Sequence, residues 1–141
     1  MSRAFTLAKE AKRQGNHPFG AVVVYKGDVI STGYSSEITD SDVAAHAETK
    51  ALQEATKQVG RDLKDCSLFA SGEPCNMCVS AIFHAHVGRI VIGCSREDIP
   101  SFFCRHSIGI SELAADSSYK PDIVWGVIKE KAIELFQNII L

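Results

Sequence analysis

The stretch that decides the fold runs from Cys66 to Cys94 and reads CSLFASGEPCNMCVSAIFHAHVGRIVIGC. Cys66–Ala70 is a short apolar strand, and Pro74 suits the entry to a helix over Cys75–Phe83. Arg89–Cys94 is β-branched and reads as a buried strand. Strands that alternate with helices predict a layered α/β domain. Working outward, Ala51, Leu52, Ala55 and Val59 mark the buried stripe of a helix over 45–58, and residues 35–44 are polar and loop-like. Ala21–Tyr25 and Val29–Tyr34 flank the turn Lys26-Gly27-Asp28 and predict a hairpin. Ala4, Leu7, Ala8 and Ala11 recur at helical spacing over 3–14, ending near Gly15. Downstream, a loop at 95–106 precedes a short helix near 108–115. Ile123-Val124-Trp125 is a last strand, and a closing helix over 127–139 turns Ala132, Ile133 and Phe136 inward. No repeat, low-complexity run or linker interrupts the pattern, so residues 1–141 read as one domain.

Of the 141 residues, 45% are hydrophobic and 23% charged, enough for a real core and unlike a disordered chain or a coiled coil. Fifteen Lys+Arg against seventeen Asp+Glu give a formal charge of −2, which argues against a non-specific nucleic-acid coat. No run of about 18 apolar residues predicts a membrane span. The start, Met1-Ser2-Arg3-Ala4-Phe5, leads into a mixed segment with Lys9, Glu10, Lys12 and Arg13 and lacks an apolar secretory core, so a cytoplasmic location is expected. Thiols stay reduced there, and five cysteines are an odd number for a disulfide framework. Some of them are therefore ligands or plain core.

Two short patterns carry chemistry: His46-Ala47-Glu48 and Pro74-Cys75-Asn76-Met77-Cys78. Alone, Cys-x-x-Cys fits a redox pair, half a zinc knuckle or two core thiols. A redox pair belongs just after the first strand of a thioredoxin-like unit, whereas this one follows the third expected strand. Together the two patterns make sense as one metal site. His plus two thiolates gives three zinc ligands and leaves a fourth position for water. A closed structural site needs a fourth protein ligand, for which His84, His86, Cys94, Cys104 and His106 are candidates. Cys75 and Cys78, three apart, face one side of a helix start, where the partial positive charge favours thiolates. His46 and Glu48 would point about 200° apart on a regular helix, so both reach one site only at a helix entry, with Asp42 placed to cap it. The alternative for Glu48 is a solvated carboxylate at a helix start.

With these residues in view, the chain resembles the zinc-dependent cytidine/deoxycytidylate deaminase superfamily, whose signature is H-x-E…P-C-x-x-C. The likeness covers roughly residues 1–94. Pro18-Phe19-Gly20-Ala21-Val22-Val23-Val24, Ala45-His46-Ala47-Glu48 and Glu73-Pro74-Cys75-x-Met77-Cys78 are similar to the branch of guanine and cytosine deaminases and tRNA adenosine deaminases. The resemblance implies a three-layer α/β/α sandwich around a five-stranded mixed sheet. It also implies Zn²⁺ held by His46, Cys75 and Cys78, with Glu48 moving protons. For the substrate it points to Phe19, Ser35, Ala47, Phe103 and His106, with Asp98, Phe102 and Cys104 in the same divergent loop. Ser35, with Ser36 beside it, stands where relatives carry an Asn, and a hydroxyl cannot reproduce an amide's paired donor and acceptor. The leading expectation is a deaminase of a free nucleobase or similar heterocycle: guanine, isocytosine, cytosine or a triazine. The runner-up is a tRNA adenosine deaminase, which Ala4-x-Thr6-Leu7-Ala8-Lys9 and the strand–Gly126–helix ending resemble. A non-catalytic zinc-stabilised module is the third. Relatives commonly form dimers or larger oligomers, for which Phe136 and Ile139-Ile140-Leu141 are a candidate interface or simply the end of the core.

Overall fold

The computed structural model describes residues 1–103 and 106–137. Helix α1 (Ser2–Arg13) leads into a hairpin of β1 (Gly20–Tyr25) and β2 (Asp28–Tyr34). Helix α2 (Ala47–Val59), β3 (Cys66–Ala70), α3 (Asn76–His84) and β4 (Arg89–Ile92) follow, then two short 3₁₀ turns at Arg96–Asp98 and Ser101–Phe103. Helix α4 (Ile110–Asp116), β5 (Asp122–Val124) and α5 (Lys129–Glu134) complete the described chain. The sheet has five strands in the order β2-β1-β3-β4-β5. β1 is antiparallel to both β2 and β3, whereas β3, β4 and β5 run parallel, so the sheet is mixed as expected.

Side chains alternate across a strand, and two glycines show which helix covers which face. A Cβ on Gly20 would overlap the Ala4 carbonyl and come 2.7 Å from Ala8 N, so this face packs directly on α1. A Cβ on Gly33 would overlap the Ala47 carbonyl and come 2.9 Å from Ala51 N, so the opposite face packs on α2. Ala21 pairs with Gly33 and joins Ala47, Ala51, Leu68, Ile82, Ile90 and Ile92 in the larger apolar cluster, which α2 and α3 cover. Phe5, Ala8, Ala132, Leu135 and Phe136 form a second cluster between α1 and the C-terminal segment. Three layers result. Gly33→Ala is expected to cost about 1–3 kcal/mol, because it pushes the start of α2 off the sheet; a lower urea midpoint at unchanged slope is the check.

Several boundaries differ from the sequence expectation for visible reasons. The last strand stops at Val124, leaving Trp125 42% exposed, because Gly126 turns at φ 70 and Val127 N returns to the Ile92 carbonyl. The closing helix starts at Lys129 rather than 127, since Ile128 is left-handed at φ 59. Asp42 does not cap α2: its Oδ1 accepts the N–H of Ala44, and His46 itself is the N-cap residue. Phe136 is 8% exposed and packs on Phe19 and Phe103, so it finishes the core rather than offering an interface. Cys104 and Ile139-Ile140-Leu141 lie outside the described residues. Among the described residues no helix is long and apolar enough to cross a membrane.

Candidate metal centre and pocket

The two motifs meet at the N-termini of neighbouring helices. His46 is the N-cap of α2 with extended φ −82 and ψ 158, and Cys75 is the N-cap of α3 with φ −68 and ψ 166. The irregular entry at His46 is what lets its ring and the Glu48 side chain reach one site, as the sequence required. His46 Nδ1 lies 3.5 Å from each of Cys75 Sγ and Cys78 Sγ, and the two sulfurs are 3.6 Å apart. A tetrahedral zinc with Zn–S of about 2.3 Å and Zn–N of about 2.0–2.1 Å spaces its ligands by about 3.5–3.8 Å. The donors therefore fit zinc in kind and in spacing. Among the described residues these three form the group able to hold a metal ion, and none of His84, His86, Cys94 and His106 adds a fourth ligand. His86 stacks on Tyr119 and Cys94 points at the Ser71 carbonyl, so both are structural.

Neither helix has a side-chain cap hydrogen bond, so the amides of both first turns add positive potential to the site, the Cys78 N–H bonding the Cys75 sulfur. The Cys78 thiol, with the His46 ring beside it, holds the Cys75 thiol down to about 4 against the opposing effect of burial. Cys78 moves the other way, pushed up by Cys75, by burial and by Glu48. His46 is raised to about 9, chiefly by its contact with Cys75. Glu48 is buried, at 5% exposure, and burial pushes its carboxyl up, with the Cys75 charge adding to the effect.

Above this cluster opens a cavity of about 250 Å³. Its lining includes Phe19, Ser35, His46, Ala47, Glu48, Cys75, Phe103 and His106, so every expected site residue except the fully buried Cys78 faces it. Phe102 also lines it. Ser36 does not: its hydroxyl donates to Asp40 and accepts from Lys50 Nζ. Asp98 does not either. It accepts from the Ser95 hydroxyl at 2.8 Å and pairs with Lys129 at 2.9 Å, tying the loop to α5.

Sequence reasoning missed several residues here. Glu73, immediately before Pro74, is an anchor: Oε2 accepts Arg96 N–H at 2.8 Å, while Oε1 accepts Arg96 Nε and Ile110 N, each at 3.1 Å. Arg96 Nη1 in turn donates to the His106 carbonyl at 2.6 Å. One carboxylate thus fixes the loop that carries Phe102, Phe103 and His106. His17 and Glu37 also line the cavity, as does Asn76. Asn76 Oδ1 is buried and, among the described residues, has no hydrogen-bond partner.

The cytidine and deoxycytidylate deaminase zinc-binding region matches this chain over residues 1–94. The chain belongs to that family. Members of this deaminase family similar to it include the probable cytosine deaminase of Schizosaccharomyces pombe, 31% identical over 94% of this chain and 85% of that protein. The guanine deaminase of Bacillus subtilis is 45% identical over 60% of this chain, which spans 56% of that enzyme. A solved tRNA:A34 deaminase superposes with a TM-score of 0.83 at 26% identity, covering 96% of each chain. The α/β fold and the zinc-binding character expected from the motifs are those of the family.

Proposed function

We propose that this chain catalyses zinc-dependent hydrolytic deamination of a free nucleobase or related amino-heterocycle of guanine, isocytosine, cytosine or triazine type. The observation that carries this reading is the size and wall of the cavity. Its volume of about 250 Å³ falls below the about 300–1,000 Å³ of sites for drug-sized ligands, so it suits one heterocycle. Phe19 and Phe103, edge-to-face with centroids 5.4 Å apart, give it an aromatic wall. Asn76 contributes to the polar side of the same cavity. The S. pombe and B. subtilis relatives support the same substrate class.

His46, Cys75 and Cys78 hold zinc, which when bound is a Lewis acid that brings the pKa of water to about 7. Glu48 takes both protons of the attacking water in turn, passing the first to the ring nitrogen and the second to the departing amine. A carbon–oxygen bond forms as the exocyclic carbon–nitrogen bond breaks, leaving a ring carbonyl and ammonia. The raised carboxyl of Glu48 suits this traffic, because burial narrows the gap between its proton affinity and that of its partners.

A tRNA adenosine deaminase is the second reading, favoured by the superposition on the tRNA:A34 deaminase. Gripping an RNA stem takes phosphate contacts from Lys and Arg, and the formal charge here is −2. The test is to incubate zinc-loaded protein with guanine, isocytosine, cytosine, adenine, ammeline, nucleosides and a tRNA anticodon stem, reading ammonia and inosine. Ammonia from one free base is expected. Inosine in the tRNA alone replaces this reading by the second, and zinc binding without any turnover replaces both by a non-catalytic module.

A further inference from the structure

The His46 ring is approached at both of its nitrogens. Nδ1 faces the two thiols, and Nε2 lies 3.4 Å from Glu37 Oε2. The same carboxylate oxygen stands 3.5 Å from Nδ1 of His17. Glu37 is held in place by its neighbours in the chain. The N–H groups of Ile38 and Thr39 both donate to Asn16 Oδ1 at 3.1 Å, and Asn16 is buried at 5% exposure. On the other side, Ser36 is tied to Asp40 and Lys50. His17 is itself braced edge-on against Phe103, with centroids 5.0 Å apart.

A neutral imidazole carries one proton, on either nitrogen, and only the bare nitrogen can ligate a metal. Two thiolates on the Nδ1 side do not by themselves settle where that proton sits. We infer that Glu37 is the positioning residue for His46, accepting the Nε2 proton and so keeping Nδ1 bare and turned towards the thiols. Carboxylates in this relation to a ligating His orient the ring and raise its basicity as a ligand. The present 3.4 Å separation is about 0.4–0.5 Å longer than an ordinary N–H···O bond, so the bond requires the Glu37 side chain to move towards the ring. His17 approaches the same oxygen, so the Glu37 carboxylate lies between the two rings. This inference rests on the reading of His46 as a metal ligand and adds to it a residue outside both motifs.

The test compares wild type, Glu37→Ala and Glu37→Gln. Zinc affinity, measured by competition with a chromophoric chelator, is expected to fall about 10–100-fold in Glu37→Ala. Glu37→Gln is expected in between, because the amide oxygen still accepts a hydrogen bond. In zinc-loaded wild type the His46 Nε2 proton should appear as a slowly exchanging ¹⁵N-coupled NMR signal, lost to solvent exchange in Glu37→Ala. Zinc affinity within about twofold of wild type together with an unchanged Nε2 signal overturns the inference. Should Glu37→Ala fail to fold, Glu37→Gln is judged by the same two readouts, and wild-type values for both count against the inference. A wild-type protein that takes up no stoichiometric zinc overturns the metal reading beneath it instead.

Discussion

Glu48→Gln is expected to lower ammonia release by about 10²–10⁴-fold while leaving zinc content and fold intact. Glutamine keeps the shape of the buried side chain at the start of α2 but can neither take a proton from water nor hand one to a leaving amine. Turnover within about tenfold of wild type would remove Glu48 from the proposed role. The same substitution carries a stability signature in metal-free protein. Burial raises the Glu48 carboxyl above its ordinary 4.5, so the folded state binds this proton more tightly than the unfolded chain. The stability it contributes is complete below pH 4.5 and is lost as pH rises through the folded value. Glutamine has no such titration. With a chelator present, Glu48→Gln should therefore match or exceed wild type in urea midpoint at neutral pH, and its advantage should shrink on acidification.

Glu73→Ala is expected to be the most destabilising single change outside the apolar core. Three donors converge on this carboxylate, two of them backbone amides, and its side chain is 4% exposed beside an Arg96 side chain that is 18% exposed. Removing one partner of a buried ion pair costs about 3–5 kcal/mol, much of it from the groups left unpaired. Glu73→Gln keeps one acceptor oxygen and should cost less. Chemical denaturation checks both, and a Glu73→Ala loss under about 1 kcal/mol would show that the three donors find other partners. In zinc-loaded protein the same variant should raise KM more than it lowers kcat. The loop it releases bears Phe102, Phe103 and His106, whereas the metal donors sit on α2 and α3.

Those two residues also show what a sequence discloses. The placement of Glu48 beside the metal donors was legible because the partner motif lies downstream at a spacing with chemical meaning, and because two residues from His46 it could reach them only at a helix entry. The strands were legible for a similar reason: alternation and β-branching in Ala21–Tyr25 and Arg89–Cys94 act locally. Glu73 gave no such signal. Its role depends on amides 23 and 37 positions away, which no local pattern encodes. Glu37, His17 and Asn16 sit in polar segments whose composition says loop and nothing more. Asp42 failed as a cap because the chain makes an extra turn before α2, leaving its carboxylate on Ala44. The C-terminal helix was overextended because apolar periodicity continues through Ile128, a residue whose left-handed backbone marks where the helix must wait.

The cavity's two halves are built from different kinds of parts. Its floor consists of helix starts pressed against the sheet through Gly33, where there is no room for a methyl group. Its aromatic wall is made of Phe19, Phe102 and Phe103, from the start of the chain and its late loop, with Phe136 of the C-terminal segment packed behind Phe19 and Phe103. Substitution at the floor therefore strains the backbone that positions the metal donors, whereas substitution at the rings changes the wall and leaves those donors in place. A mutant library confined to Ile99, Phe102 and Phe103 would therefore explore new ring preferences without first having to recover a lost metal.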